Sequence, residues 1–156
     1  SKHAIEVAQK LNPQSTFKVM KAEKLKFKDS SFNVVLCFDV LEHILDPNKA
    51  LKEIHRTLDN NGTLILTVPN LNSLSKKIKG KNWFAFKDKT HVSLLTKKQW
   101  KNKLRENGFK IKQQKTIDLF DLPTKLGTII NLLLYKLNIP FLPKYGDNLV
   151  LIAKKK

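Results

Sequence analysis

The sequence predicts a single α/β domain whose sheet is mostly parallel, with the last strand antiparallel. Two apolar runs, Phe32–Phe38 and residues 63–68, have the length and composition of buried strands. A helical pattern of apolar residues lies between them, and the connections on both sides of that helix are short. A strand, a helix and a second strand joined in this way give parallel strands linked by a right-handed crossover.

The N-terminal region predicts a helix followed by a short strand. Ser1 is a suitable N-cap, and Asn12-Pro13 ends the helix because proline cannot continue it. Residues 16–20 then have the pattern of a short strand. Phe32–Phe38 is apolar at almost every position, which is expected of a strand buried on both faces of a sheet. The apolar face of the predicted helix consists of Ala4, Ile5, Ala8 and Leu11.

The central helix has the clearest signals in the chain. Asp46 is a good N-cap, and Pro47 suits the first helical position because its missing N–H needs no partner there. We expect Gly62 to end this unit with a positive φ, and residues 63–68 to form the next strand. The face that we expect to be buried consists of Ala50, Leu51, Ile54 and Leu58.

The C-terminal half predicts one more helix and two more strands. Residues 71–95 have the composition of a long polar loop. Thr96 and Gln99 have the spacing of a capping box at the start of a helix. Residues 109–117 and 148–153 have the apolar patterns of strands. The helix that begins after Thr96 is also indicated by the apolar residues Trp100 and Leu104 on one face and by Gly108, which is expected to end it.

Residues 119–145 are predicted to be an apolar insertion that covers the sheet. The apolar stretch within it, residues 126–142, is interrupted by Gly127 and Pro140. The alternative is that this segment makes a peripheral membrane contact, with Lys136 and Lys144 directed toward the lipid headgroups.

The composition indicates one ordinary domain with a strongly basic surface. The 156 residues include 30 Lys+Arg and 13 Asp+Glu, which gives a net charge of +17. Nearly all of the basic residues are lysines, so a solvated lysine-rich surface is the simplest interpretation. A surface that binds nucleic acid or an anionic membrane is the alternative.

The single cysteine, Cys37, excludes an intrachain disulfide framework and is consistent with a reducing compartment. The N-terminus is polar and charged, and no window has the roughly 18 apolar residues of a spanning helix. These features predict a cytoplasmic protein without a signal peptide.

Polar side chains follow both central strands. Asp39, Glu42 and His43 come directly after Phe32–Phe38, and Asn70 follows the next strand. Ligands of open α/β sheets bind at the carboxyl ends of the strands, so this edge is the predicted site. The alternative is that these side chains cap a helix or satisfy loop amides.

Two stretches of the chain resemble class I S-adenosylmethionine-dependent methyltransferases of the small-molecule type. They are "AEKLKFKDSSFNVVLCFDVLEHILDPNKALKEIHRTLDNNGTLILTVPN" and "THVSLLTKKQWKNKLRENGFKI". The resemblance covers residues 1–117, with residues 148–153 as the family's seventh strand. It implies a Rossmann-like methyltransferase sheet, S-adenosylmethionine as the cofactor, and methyl transfer to an oxygen or nitrogen atom of a small-molecule or lipid-linked substrate.

The chain departs from the family pattern at its N-terminus. The family's first strand with its Gly-rich turn is absent, and no Gly-x-Gly occurs in the sequence. The resemblance therefore implies an N-terminally truncated fold, and we expect this chain alone to bind the cofactor weakly. The strand predicted at residues 16–20 would lack its neighbours and would need another partner, such as a second copy in a homodimer.

The resemblance also implies roles for individual residues. Ala22 and Glu23 match the segment that borders the adenine. Cys37 and Phe38 match the end of the strand that lines the methionine portion of the cofactor. Asp39 belongs to the motif that flanks the methyl-transfer site.

His43 and His91 are the candidate catalytic residues, because an oxygen or nitrogen acceptor can require removal of a proton and histidine does this near neutral pH. The alternative is that both are structural. No metal is predicted, although some relatives place one on an acid-x-x-Glu-His cluster, which Asp39, Glu42 and His43 match loosely with the distant His91.

Two further alternatives concern function. Trp83, Phe84 and Phe86 lie between lysines and could stack nucleic-acid bases, but a lid over the acceptor pocket is the favoured interpretation. The whole chain could instead be a basic nucleic-acid-binding or non-catalytic module on a degenerate methyltransferase scaffold. Nucleic acid is therefore a partner that the sequence permits without favouring it.

Overall fold

The computed structural model describes residues 2–117, 129 and 145–156 of the chain. The helices are α1 (Lys2–Leu11), α2 (Pro47–Thr57), α3 (Leu74–Lys79), α4 (Phe84–Lys87) and α5 (Lys97–Glu106). The strands are β1 (Phe32–Phe38), β2 (Leu58–Pro69), β3 (Phe109–Ile117) and β4 (Asn148–Lys155). Two 3₁₀ turns lie at Leu41–His43 and Gly80–Asn82.

The four strands form one sheet in the order β1-β2-β4-β3. β1 and β2 are parallel, and β4 is antiparallel to both of its neighbours. The last strand is therefore inserted between β2 and β3 with its direction reversed. This confirms the predicted Rossmann-like arrangement with an antiparallel last strand.

The core lies between one face of the sheet and the helices α2 and α5. Alternate residues of β2 and β4 point into it, as a two-residue side-chain period requires. All four residues of the predicted helical face around α2 are buried, as are both apolar residues predicted for α5. The fully buried strand residues are Leu58, Leu64, Leu66, Val68, Phe109, Leu149, Leu151 and Ala153.

Two of the three predicted helix caps are confirmed, and the third, Ser1, lies outside the described residues. The Asp46 side chain accepts a hydrogen bond from the Asn48 N–H at 3.2 Å, and Pro47 opens α2. At α5, Thr96 and Gln99 form a complete capping box, in which each side chain accepts from the other residue's backbone N–H. These caps satisfy N–H groups that the first helical turn would otherwise leave without partners.

The prediction that β1 is buried on both faces is wrong. Cys37 is buried and Val35 packs against the core, but Leu36 on the opposite face is 59% exposed. Val34 and Phe38 share that exposed face. The reason is that an apolar run records only the preference of its residues, whereas burial requires a second layer, and among the described residues no element covers this face.

The strand predicted at residues 16–20 is not formed. A strand requires a neighbour that pairs with its backbone, and within the described ranges no segment pairs with residues 16–20. The segment that follows forms only an isolated β-bridge between Lys21 and Lys24.

The turn after α2 differs from its predicted form. The helix ends at Thr57 and β2 begins at once with Leu58. Asn61, with φ of 60°, takes the left-handed conformation that was expected at Gly62. Gly62 is required for a different reason, because a Cβ there would lie 2.8 Å from the Asp59 carbonyl oxygen.

The segment predicted as a long polar loop, residues 71–95, contains α3 and α4. Ser73 caps α3 by accepting from the Lys76 N–H. The predicted covering segment at residues 119–145 lies outside the described residues, apart from 129 and 145. Within the described ranges, no helix combines the length and the apolarity needed to cross a bilayer.

Candidate active site

A cavity of about 350 Å³ opens at the carboxyl ends of the parallel strands β1 and β2. This is the edge at which ligands of open α/β sheets bind. Three of its lining residues carry carboxylates and two carry imidazoles. The lining of this carboxyl-end cavity consists of Asp39, Glu42, His43, Pro69, Phe84, Asp88, His91 and Asn148.

Asp39 is held in an unusual backbone conformation directly after β1. Its φ is 52°, in the left-handed region that non-glycine residues rarely adopt. Thr67 on β2 fixes it, because the Thr67 hydroxyl donates to Asp39 Oδ1 at 2.8 Å and the Thr67 carbonyl accepts from the Asp39 N–H at 3.2 Å. The carboxylate is thereby fixed at the mouth of the cavity, and such local strain is common at functional sites.

Glu42 is the most buried charged residue of the cavity, with 1% of its surface exposed. Among the described residues, no group forms a hydrogen bond with its Oε2 atom. Burial raises the pKa of the Glu42 carboxyl, and the charge of Asp39 adds to this. The Glu42 backbone carbonyl holds the following loop in place by accepting from the N–H groups of Val92 and Ser93.

His43 is oriented by a chain of hydrogen bonds through Thr90. The Thr90 hydroxyl donates to Asp88 Oδ1 at 2.6 Å and lies 2.8 Å from His43 Nδ1. Because that hydroxyl has a single proton, His43 Nδ1 must be the donor to Thr90. Neutral His43 therefore carries its free lone pair on Nε2. The two hydrogen bonds from Thr90 lower the pKa of Asp88, so this carboxylate stays charged.

His91 has the same tautomer for an independent reason. Its Nδ1 lies 2.8 Å from the Ala85 carbonyl oxygen, which can only accept, so Nδ1 carries the proton. Nε2 is then the basic atom, and it lies 3.7 Å from Asp88 Oδ2. The two imidazole rings are 4.6 Å apart between centroids. The site therefore presents two oriented imidazoles beside a buried carboxyl.

This arrangement suits either of two chemical roles. An imidazole with Nδ1 held as a donor can accept a proton at Nε2. Glu42, His43 and His91 also offer one ligand atom each within 4.8 Å of one another, which is compatible with a divalent cation. The fold thus brings His91, which is distant from His43 in the sequence, next to it.

The other predicted cofactor residues lie outside the lining of this cavity. Ala22 packs against the core, and Glu23 is exposed beside it. Cys37 points into the core, where burial, and then the charges of Glu42 and Asp39, raise the pKa of its thiol to about 12. Phe38 is half exposed on the uncovered face of β1. Asp39, Glu42, His43 and His91 are the predicted site residues that line the cavity together.

A clamp that sequence reasoning missed holds the segment after Ala22 and Glu23 against α2. The Arg56 guanidinium donates to the carbonyl oxygens of Leu25 and Phe27 and to the carboxylate of Asp29. Glu53 completes the clamp by accepting from the Leu25 N–H at 2.8 Å. The scarcity of arginine in the composition, with only Arg56 and Arg105 among many lysines, was the available signal, because the planar group of arginine can bind several acceptors at once.

Asn70 and Trp83 have structural roles instead of the predicted ones. The Asn70 amide is buried and donates to the Gly146 carbonyl at 2.8 Å, and Asn70 does not line the cavity. Trp83 is fully buried, and its indole N–H donates to Asp147. It cannot stack a nucleic-acid base, whereas Phe84 lines the cavity as the lid interpretation expected.

The cavity fits a cationic ligand such as the sulfonium of S-adenosylmethionine. Asp39, Glu42 and Asp88 supply carboxylates, and no lysine or arginine is among the described residues that line the cavity. In a chain with a net charge of +17, such an acidic lining is a specific feature of this edge of the sheet.

Comparisons with known proteins agree with this fold. Residues 2–114 match the family described as "Methyltransferase domain". The fold resembles that of a SAM-dependent methyltransferase from Thermotoga maritima, with a TM-score of 0.70 and 20% identity, over 100% of this chain and 70% of that one.

Two uncharacterized proteins of Methanocaldococcus jannaschii are similar in sequence. One is 53% identical over 53 residues, which are 34% of this chain and 23% of that protein. The other is 35% identical over 104 residues, which are 64% of this chain and 49% of that protein. The chain thus spans half or less of the length of these relatives.

The match over residues 2–114 covers most of the chain, and the sheet order agrees with it. S-adenosylmethionine is accordingly the cofactor that the family assignment gives to this fold. The chain belongs to the methyltransferase-domain family, with a Rossmann-like sheet shared with SAM-dependent methyltransferases.

Proposed function

We propose that the protein transfers a methyl group from S-adenosylmethionine to an oxygen or nitrogen atom of a small or lipid-linked acceptor at the carboxyl-end cavity. The observation that carries this proposal is the pair of imidazoles, His43 and His91, held with Nδ1 as donor beside the acidic lining. The cofactor supplies an electrophilic methyl group, and the chain's own residues position the acceptor and take its proton.

His43 and His91 act on the acceptor in this proposal. Each presents Nε2 as the basic atom, so either can remove a proton from a hydroxyl or amine within hydrogen-bond reach. Asp88 is near both and favours the imidazolium that forms, because its own charge is stabilised by Thr90. Phe84 and Pro69 contribute the apolar part of the lining, which helps to exclude water.

Methyl transfer from radiolabelled S-adenosylmethionine to a panel of phenols, catechols and primary amines tests the proposal. We expect His91→Asn and His43→Asn each to lower kcat by roughly 10²- to 10⁴-fold at neutral pH, the usual contribution of a general base. His55→Asn is the matched control, because His55 packs on Phe109 away from the cavity. Full activity in both cavity variants would contradict the assigned roles.

We also propose that these 156 residues alone bind the cofactor weakly. No Gly-x-Gly occurs in the sequence, and a backbone that approaches an adenosine closely usually needs such glycines. Calorimetric titration of this chain with S-adenosylhomocysteine, beside a methyltransferase whose sequence contains the Gly-rich turn, measures the difference. Equally tight binding by both proteins would refute this part of the proposal.

A metal-assisted version of the same transfer is the second candidate. It is favoured by the buried Glu42 Oε2, which among the described residues has no hydrogen-bond partner and lies in the ligand cluster with His43 and His91. A bound divalent cation would lower the pKa of an acceptor hydroxyl, and the histidines would then be ligands rather than bases. Activity that survives dialysis against EDTA supports the general base, and activity restored only by added Mg²⁺, Mn²⁺ or Zn²⁺ supports the metal.

A further inference from the structure

A second concave site lies at the opposite end of the sheet from the carboxyl-end cavity. It has a volume of about 330 Å³, and we call it the lysine cavity. β4 runs from Asn148 in the first site to Lys155 in the second, a span of roughly 23 Å at about 3.3 Å per residue. The lysine cavity is lined by Asn61, Lys110, Lys112, Lys154, Lys155 and Lys156.

The strand register concentrates these lysines. Lys110 on β3 lies directly opposite Lys154 on β4, and Lys112 is the additional residue at the register shift between Ile111 and Gln113. Like charges directly opposite one another destabilise an antiparallel pair. Among the described residues, no Asp or Glu side chain lines this cavity, and none of its five lysines has an ion pair with an acidic side chain. Within the described ranges, the cluster therefore has no acidic side chain as a counter-charge.

Two of the ammonium groups are held in place by the backbone. Lys154 Nζ donates to the Asn61 carbonyl oxygen at 2.8 Å, and Lys155 Nζ donates to the Leu58 carbonyl oxygen at 2.7 Å. An ammonium group has three N–H donors, so each can still donate to an anion. Lys156 is anchored by its backbone N–H, which donates to the Gly108 carbonyl at 2.9 Å.

We propose that the lysine cavity binds the phosphodiester backbone of a nucleic acid. Five lysines in the lining of one open concavity supply positive charge for the successive phosphates of a strand. A flat anionic bilayer fits less well, because the site is concave and none of its described lining residues has an apolar side chain to insert. The described lining residues also include no aromatic residue for base stacking and no arginine, so the contact is independent of base sequence.

Fluorescence anisotropy with labelled 12-nucleotide oligo(U) and oligo(dT), between 50 and 300 mM KCl, measures this binding. The test variant carries Lys110→Gln, Lys112→Gln and Lys156→Gln, three exposed positions of the lysine cavity. The control variant carries Lys10→Gln, Lys49→Gln and Lys98→Gln, which are exposed on α1, α2 and α5 and remove the same charge. Circular dichroism melting of both variants verifies that they are folded.

We expect the test variant to lose about tenfold or more in affinity at 50 mM KCl. The slope of log K against log salt should also become shallower by about 2, since each lost phosphate contact removes about 0.7 for a single strand. The control should retain the slope of the unmodified protein. Comparison of oligo(U) with oligo(dT) shows whether RNA or DNA is preferred.

Three outcomes would overturn the proposal. The first is an equal loss of affinity in the test and control variants, which would indicate a diffuse charge effect. The second is no binding of either oligonucleotide by the unmodified protein at 50 mM KCl. The third is lysine-dependent binding to phosphatidylserine vesicles without binding to either oligonucleotide. The assay contains no methyl donor or acceptor, so its result does not depend on the proposed methyl transfer.

Discussion

Neighbouring residues at the end of β1 face opposite environments. Cys37 points into the core with 6% of its surface exposed, whereas Phe38 is 50% exposed and Asp39 is bonded to Thr67. The alternation is a property of the strand, in which successive side chains lie on opposite faces. Three adjacent residues that sequence reasoning assigned to one ligand therefore serve different purposes.

Cys37 is expected to be unreactive in the folded protein. Burial, supported by the charges of Glu42 and Asp39, raises the pKa of its thiol to about 12, so the thiolate is scarce at neutral pH. Alkylation by iodoacetamide at pH 8 should be very slow in buffer and fast in 6 M urea. Equal rates in both conditions would show that Cys37 is accessible.

Glu42 is expected to make stability depend on pH. Its folded pKa lies above the ordinary value of 4.5, so the folded state holds the proton more tightly than the unfolded state does. This tighter proton binding stabilises the folded state fully at pH values below the pKa that Glu42 has in the unfolded chain. The stabilisation is lost as the pH rises through the pKa that Glu42 has in the folded protein. Urea unfolding with EDTA present, from pH 4 to pH 8, measures it.

The Glu42→Gln variant isolates this contribution. Its free energy of unfolding should improve relative to that of the unmodified protein as the pH rises, because glutamine has no charge to bury. A difference between the two proteins that stays constant across this range would show that Glu42 is not the titrating group. Asp59→Asn, near the start of β2, is the matched control.

At the scale of the elements, the two faces of the sheet differ in how they are covered. Leu66 on β2 is fully buried against the helices, whereas Leu36 on β1 is 59% exposed. Both were predicted as residues of buried strands, and their side chains are identical. The comparison separates the effect of the packing layer from the effect of residue type.

Leu66→Ala should therefore lower the free energy of unfolding by about 2–5 kcal/mol, the usual cost of a cavity in a core. Leu36→Ala should change it by about 0.5 kcal/mol or less, as expected of an exposed position. Chemical denaturation of this chain measures both values. A loss at Leu36 as large as that at Leu66 would show that the exposed face of β1 is covered in solution.

At the scale of the whole molecule, Asp147 joins distant parts of the chain beside β4. It is buried, and it accepts hydrogen bonds from the Trp83 indole at 2.9 Å and from the Ser75 hydroxyl at 2.8 Å. The Asp147 backbone carbonyl also accepts from the Asn70 N–H. This junction holds α3 and the aromatic segment that contains Phe84 next to the carboxyl-end cavity.

Asp147→Ala should lower the free energy of unfolding by about 1–3 kcal/mol, because it leaves buried donors without their acceptor. It should also loosen the segment around Phe84 without removing any residue that lines the cavity. Hydrogen exchange of the amides of residues 74–87 measures this effect. Exchange that is unchanged throughout this segment would contradict the role of Asp147 as a junction.

The sequence determined what depends on neighbouring residues. The caps at Asp46 and Thr96, the bounds of β1 and β3, and the buried face of α2 follow from spacing and propensity, which act over one or two turns. The location of a site after β1 followed from the general rule for parallel strands, and Asp39, His43 and His91 do meet there.

Only the tertiary structure decided which distant residues meet and which faces are covered. Thr90 orients His43, Arg56 clamps residues 25–29, and Lys110 pairs with Lys154, and none of these contacts has a local signal. Residues 16–20 have strand composition but form no strand among the described residues, and the outer face of β1 is apolar but exposed. Strand pairing requires a second strand, and burial requires a second packing layer. Neither can be inferred from the type of the residue alone, because both depend on which other segments lie next to it.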